Sequence, residues 1–147
     1  MKKLISIAVL SVFVVALIVG CSSTSNPVTG TWTATATSAT YSVVEAGSAN
    51  LVETNGNTIN GTWTCNSSTS TNGCHTNASE TVTGTVSGST MNLSITQDCN
   101  GTVGTGSPLV ATGTLGSNTT TYTGTYTVGV NAACGQVADT GSFSASK

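Results

Sequence analysis

Arginine is absent from this 147-residue sequence, histidine occurs once, and proline occurs twice. Charged residues make up only 5% of the chain and aromatic residues another 5%. Each shortage removes a class of function. Two of the three lysines are Lys2 and Lys3, so no basic patch exists to neutralise a phosphate backbone, and nucleic acid is not an expected partner. His75 could be written into a triad with Asp98 and one of many serines, but no G-x-S-x-G turn presents a nucleophile, and "GTGSPL" lacks the final glycine. No acid, base and nucleophile stand together, so the chain does not read as an enzyme. No helical period is found beyond residue 28. The one long apolar run, Leu4 to Val19, falls short of the roughly 20 residues that a membrane span needs.

That run does follow Met1-Lys2-Lys3, which gives the charged and hydrophobic regions of an export signal. It ends on Ile18-Val19-Gly20-Cys21, which resembles the lipobox of bacterial lipoproteins, where an aliphatic residue and two small ones precede the modified cysteine. The resemblance implies cleavage before Cys21, a thioether-linked diacylglycerol on its sulfur, and acylation of the new amino terminus by a palmitate-type chain. Membrane lipid is then the first expected partner, since two or more acyl chains anchor stably where one anchors marginally. The expected location is the cell envelope, at the outer membrane or cell surface rather than the inner membrane. Residues 1–20 are expected to form a helical signal peptide, 21–28 the lipidated cysteine and a flexible tether, and 29–147 a single domain. Loss of Lys2 and Lys3 leaves one lysine against five acids, a net charge of −4.

Low charge with abundant Thr and Gly is shared with disordered chains, but here apolar residues alternate with threonines along one segment after another. "GTWTATATS" puts Trp32, Ala34 and Ala36 on one face; "TINGTWTC" puts Ile59, Gly61, Trp63 and Cys65 there. The same period aligns Val82, Gly84 and Val86, then Met91, Leu93 and Ile95, then Leu109, Ala111, Gly113 and Leu115. Tyr122, Gly124, Tyr126 and Val128 follow, and finally Val137, Asp139, Gly141, Phe143 and Ala145. Residues 41 to 53 alternate less clearly, although "TNGN" after them is a hairpin turn signal. About eight half-buried strands in sequence order predict an all-β fold, an antiparallel up-and-down barrel or strongly twisted meander of the calycin type.

In a meander, alternate connections fall at the same end. The tight turns at 54–57, 87–89 and 116–118 share one rim with both termini, and longer connections near 37–47, 66–78, 98–107 and 129–136 form the other. Cys65, Cys74, Cys99 and Cys134 all map to that second rim, and four cysteines in an exported chain predict two disulfides with three possible pairings. Pairing Cys65 with Cys74 staples one loop, and Cys99 with Cys134 ties two loops together. Zinc at Cys74-His75 is disfavoured because exported thiols pair with each other. Glu45, Glu80, Asp98 and Asp139 lie near the same rim but form no dense D-x-D-x-D-G run, so no metal or cofactor is expected.

Asp139 points inward by phase, and a carboxylate there must be wet, paired or facing a ligand, with wet as the default. Trp32, Trp63, Tyr122 and Tyr126 read first as core and second, with Asp139, as the lining of a ligand cavity. "GTW" at residues 30–32 resembles the opening strand of lipocalin-like and avidin-like barrels, whose inward Trp closes the floor. Lipocalins stack a basic residue of the last strand over that Trp, a place only Lys147 can take here. Gly124-Thr125-Tyr126 and Asp139 resemble an avidin-like strand and its acidic partner, but the tryptophans that enclose biotin are missing, so biotin does not carry over. The mature chain is also similar to small Gly/Thr-rich lipoproteins without an assigned activity. The resemblances imply a non-enzymatic binding module that presents stapled loops to a hydrophobic small molecule or a protein. Two other expectations stand beside it: a structural envelope component with a filled barrel, and an inhibitor of an exported hydrolase using the 65 to 74 loop.

Overall fold

The computed structural model describes residues 27–54, 57–69, 79–97 and 106–147. The leader, Cys21, Cys74, His75, Asp98 and Cys99 lie outside these residues, as does the side chain of Cys134.

Eight antiparallel strands follow one another: β1 (Gly30–Ser38), β2 (Val44–Thr54), β3 (Thr58–Ser68), β4 (Ser79–Ser87), β5 (Thr90–Ile95), β6 (Leu109–Leu115), β7 (Thr121–Val128) and β8 (Asp139–Ser146). Each pairs with the next, and β8 pairs back onto β1, so the sheet is a closed barrel in sequence order. Closure leaves no strand with an unpaired edge. The expected fold is the observed one. A short 3-10 turn over Ala132–Cys134, capped by the Asn131 side chain, interrupts the connection between β7 and β8.

Alternation fixes what faces where. Trp32, Leu51, Ile59, Val82, Met91, Leu93, Leu115 and Tyr122 are buried inside, each from an inward position of its strand. The outward positions are almost all hydroxyl or amide side chains: Thr31, Thr33, Thr35 and Thr37 on β1, for instance, and Thr121, Thr123, Thr125 and Thr127 on β7. No outward position of the described strands carries a charge.

Of the glycines that face aromatic rings, Gly47 and Gly141 make the closest approaches. A Cβ on Gly47 would sit 2.5 Å from the Trp63 ring, and one on Gly141 would sit 2.5 Å from the Tyr126 ring. A larger residue at either place would displace a ring from the wall. Gly47 lies beside a register shift in the β2–β3 ladder, where the bulge carries Cys65 opposite it.

Three details depart from the sequence expectation. β2 is one of the two longest strands, although 41 to 53 alternates poorly. Its inward positions carry Glu45, Gly47, Ala49, Leu51 and Glu53, while Val44 and Val52 face out and are exposed, which inverts the usual polarity at both of its ends. Val137 is not an inward strand residue: it precedes β8 and is 54% exposed. Cys65 lies within β3 as its alternation predicts, but the strand runs on to Ser68, into the stretch expected to be loop, because pairing with β2 continues that far. The Cys65 side chain is buried.

Candidate functional site

The turn end of the barrel is closed by a compact arrangement around Trp32, which is 1% exposed. Its indole Nε1 donates to the carbonyl of Val28 at 2.8 Å. The backbone N–H of Val28 donates to Glu53 Oε2 at 3.2 Å, and the N–H of Glu53 donates to Thr29 Oγ1 at 2.9 Å. Lys147 Nζ sits 5.1 Å from the centroid of the Trp32 ring and donates to the carbonyls of Pro27 and Thr29. A cation over an indole face is a favourable pairing. Lys147 therefore occupies the place that the barrel resemblance assigned to it.

Above this floor the interior holds a cavity of about 80 Å³. Trp32, Trp63, Tyr122, Tyr126 and Phe143 line it together with Met91, Leu93, Leu109 and a series of alanines. Alanine at Ala34, Ala36, Ala49, Ala111 and Ala145 is what leaves the space, since a larger inward residue on those strands would fill it. Tyr122 stacks against Phe143 with centroids 4.6 Å apart and donates its hydroxyl to the carbonyl of Met91 at 2.9 Å. Burial pushes the Tyr122 phenol well above its usual range.

Polar side chains reach the cavity at its other end, the long-loop rim. Glu45 and Gln97 both line it there. Gln97 also donates from Nε2 to Glu80 Oε2 at 3.3 Å, and Glu80 is 3% exposed. Tyr126 donates its hydroxyl to Asp139 Oδ2 at 2.8 Å, and Ser38 Oγ donates to Asp139 Oδ1 at 2.9 Å. The Tyr126 phenol is pushed up chiefly by burial, then by its hydrogen bond to Asp139 and by the negative charges of Asp139 and Glu45; Ser38 pulls it the other way.

The four aromatic residues singled out in the sequence, Trp32, Trp63, Tyr122 and Tyr126, thus share one cavity. Asp139 stands just behind them, paired through Tyr126 and Ser38, where the sequence alone left it wet by default. Ser38 lies 101 residues from Asp139, so only closure of β8 on β1 brings them together. Glu53 and Gln97 were not singled out beforehand. Extending the two-residue phase of Leu51 by one step finds Glu53; nothing local marks Gln97. Among the described residues no group of three or more His, Cys, Asp or Glu is placed to hold a metal ion.

No protein-family model matches the chain, and no curated protein matches it. A solved structure does share the fold: a redesigned beta barrel, mFAP1, bound to DFHBI, with a TM-score of 0.58 at 15% identity, covering 82% of this chain and 95% of that one. At such low identity the likeness speaks for the barrel alone, and by its strand order and its likeness the chain is a closed eight-stranded antiparallel β-barrel.

Proposed function

We propose that this protein is a membrane-anchored envelope lipoprotein whose barrel binds a small, largely apolar molecule in its interior, without catalysing a reaction. The observation that carries the proposal is the cavity between Trp32 and the long-loop rim, lined by aromatic and aliphatic side chains. Small-molecule sites have this composition, a mostly apolar wall with a few polar groups at fixed places. The redesigned barrel bound to DFHBI supports the reading in one respect, because a beta barrel similar in fold to this one holds a ligand. Anchoring rests on the lipobox residues Ile18 to Cys21 and their place after a charged, apolar leader. Stapling of the long loops by Cys65, Cys74, Cys99 and Cys134 belongs to the same proposal, and it would hold the rim in shape around a ligand.

A filled barrel with a structural role is the competing function, and the modest cavity volume of about 80 Å³ favours it. Filling the space distinguishes the two. Trp32 and Trp63 both line the cavity, so an apolar ligand entering it should change tryptophan emission saturably. Ala36→Phe, which places a ring in the cavity, should abolish that saturation while the far-ultraviolet spectrum keeps its β-sheet form. A protein that shows no saturable response to any of a panel of single-ring compounds acts as a structural barrel. For the anchor, Cys21→Ser should move the protein from the membrane fraction to the soluble one, and continued membrane retention would sink the lipoprotein assignment.

A further inference from the structure

We infer that the cavity takes one flat aromatic ring, laid against a wall of alanines on β8, β1 and β2, and that Ala34, Ala36 and Ala145 set this selectivity. The inference rests on the proposed binding role of the cavity and adds the shape and chemical class of its ligand.

The wall follows from register. Ala34 of β1 pairs with Ala145 of β8, Ala36 stands two residues on along β1, and Ala49 of β2 pairs with Trp32, diagonal to Ala34. All four alanines line the cavity, so three neighbouring strands offer it one contiguous patch of methyl groups. In a closed ring of eight strands β5 lies half-way round from β1. Its inward residues are Met91, Leu93 and Ile95, which line the same cavity from the facing side. Short side chains on one wall and long ones on the other leave a space that runs along the alanine patch.

The chemical class follows from what borders that patch. Phe143 pairs with Ala36 and Trp63 pairs with Ala49, so an aromatic ring stands at each edge of it, and both rings line the cavity. An aromatic ligand gains tilted or offset ring contacts there beyond the area it buries, and a saturated ring does not. The polar atoms on the wall have partners within the chain: the Tyr122 hydroxyl on the Met91 carbonyl, the Tyr126 hydroxyl on Asp139, and the Trp32 indole on the Val28 carbonyl. A ring of carbon alone leaves those bonds intact. The volume sets the size. A buried water needs roughly 10 to 15 Å³ of such space. The 80 Å³ present therefore holds about half a dozen water-sized groups, the bulk of one ring. A puckered ring of the same atom count is thicker than a flat one and must push the two walls apart, which a packed interior resists.

Three hydrocarbons test this on the full-length protein: toluene, methylcyclohexane and naphthalene, titrated by calorimetry with tryptophan emission as a second signal. Toluene should bind at least about fivefold more tightly than methylcyclohexane, which has the same number of carbons, and naphthalene should not saturate. Ala34→Val and Ala145→Val each raise the low wall and should weaken toluene at least about fivefold. Leu93→Ala lowers the facing wall and should bring methylcyclohexane to within about twofold of toluene. Ile95→Ala, on the same strand, gives that reading should the Leu93 variant fold poorly. Equal binding of toluene and methylcyclohexane, or a lead for naphthalene, overturns the inference while leaving the cavity a binding site. Binding of none of the three overturns both. A toluene preference that neither alanine substitution alters overturns the assignment of the ring to the alanine wall.

Discussion

The two ends of the barrel use carboxylates in opposite ways. At the turn end, Glu53 is buried against the N–H of Val28, with Lys147 close by on Trp32, and the whole arrangement seals the interior. At the long-loop end, Glu45 stands on the cavity wall, while Asp139 and Glu80 take hydrogen bonds from neutral hydroxyl and amide groups. One end ties its carboxylate to the backbone that seals the barrel; the other sets carboxylate residues beside an apolar space. The same eight strands thus supply a plug and a rim, and the difference comes from a handful of side chains at strand termini.

The comparison is broken most directly at the floor. Trp32→Ala removes the largest fully buried side chain together with its bond to Val28 and the seat of Lys147, and should cost about 3 to 5 kcal/mol of stability. Denaturant unfolding would measure it, and a loss as small as that of a surface change would mean the floor does not hold the barrel shut. On the rim side, Gly141→Ala forces a methyl into the Tyr126 ring and should cost about 1 to 3 kcal/mol while loosening the Tyr126–Asp139 bond. Thermal melts read the first effect. A fall in the Tyr126 phenol pKa on spectrophotometric titration reads the second.

Alkaline pH should weaken the barrel through both of its buried phenols. Both Tyr122 and Tyr126 have phenols raised above the value expected of an unfolded chain, near 10. The folded protein therefore holds their protons longer than the unfolded one. Stability should be level with respect to these groups below about pH 10 and fall above it, by up to about 1.4 kcal/mol per pH unit for each phenol. Tyr122→Phe should remove its share of that slope, measured as denaturation midpoint against pH; an unchanged slope would place the titration elsewhere. The smallest effect belongs to Lys147→Ala, which removes the cation from over the ring of Trp32 and should cost about 0.5 to 1 kcal/mol. Its loss should be masked in Trp32→Ala, because the two side chains act as one feature, and additive losses would show that they do not.

Much of this molecule was legible because a half-buried strand writes its own face into the sequence. Wherever threonine alternated with an apolar residue, as in 30–38, 80–88 or 120–128, the observed strand follows within a residue or two. β2 was hard to see because its inward face ends in Glu45 and Glu53 and its outward face carries Val44 and Val52, so polarity reports the opposite of burial there. Val137 misled for the complementary reason, an apolar residue in phase with β8 but outside it. The aromatic membership of the cavity could be read from phase, whereas the glycines that make room for its rings could not. Gly47 meets Trp63 across a bulge, and Gly141 meets Tyr126 across the β7–β8 ladder, and both encounters depend on register. The contact of Lys147 with Trp32 was accessible only through resemblance to other barrels, since 115 residues separate the two.

The hydroxyl-covered outer wall has a consequence for how copies of the protein treat one another. Charge repulsion keeps many proteins dispersed, and the outer faces of these strands offer none. Closure of β8 onto β1 takes over that task, because a sheet without ends gives a neighbouring copy no ladder to extend. Threonine and serine hydroxyls do not ionise in the accessible pH range, so the hydration of that wall does not change with acidity. Colloidal behaviour should then be nearly flat across pH and ionic strength while the barrel is closed, and should collapse abruptly, not gradually, once any pair of strands parts.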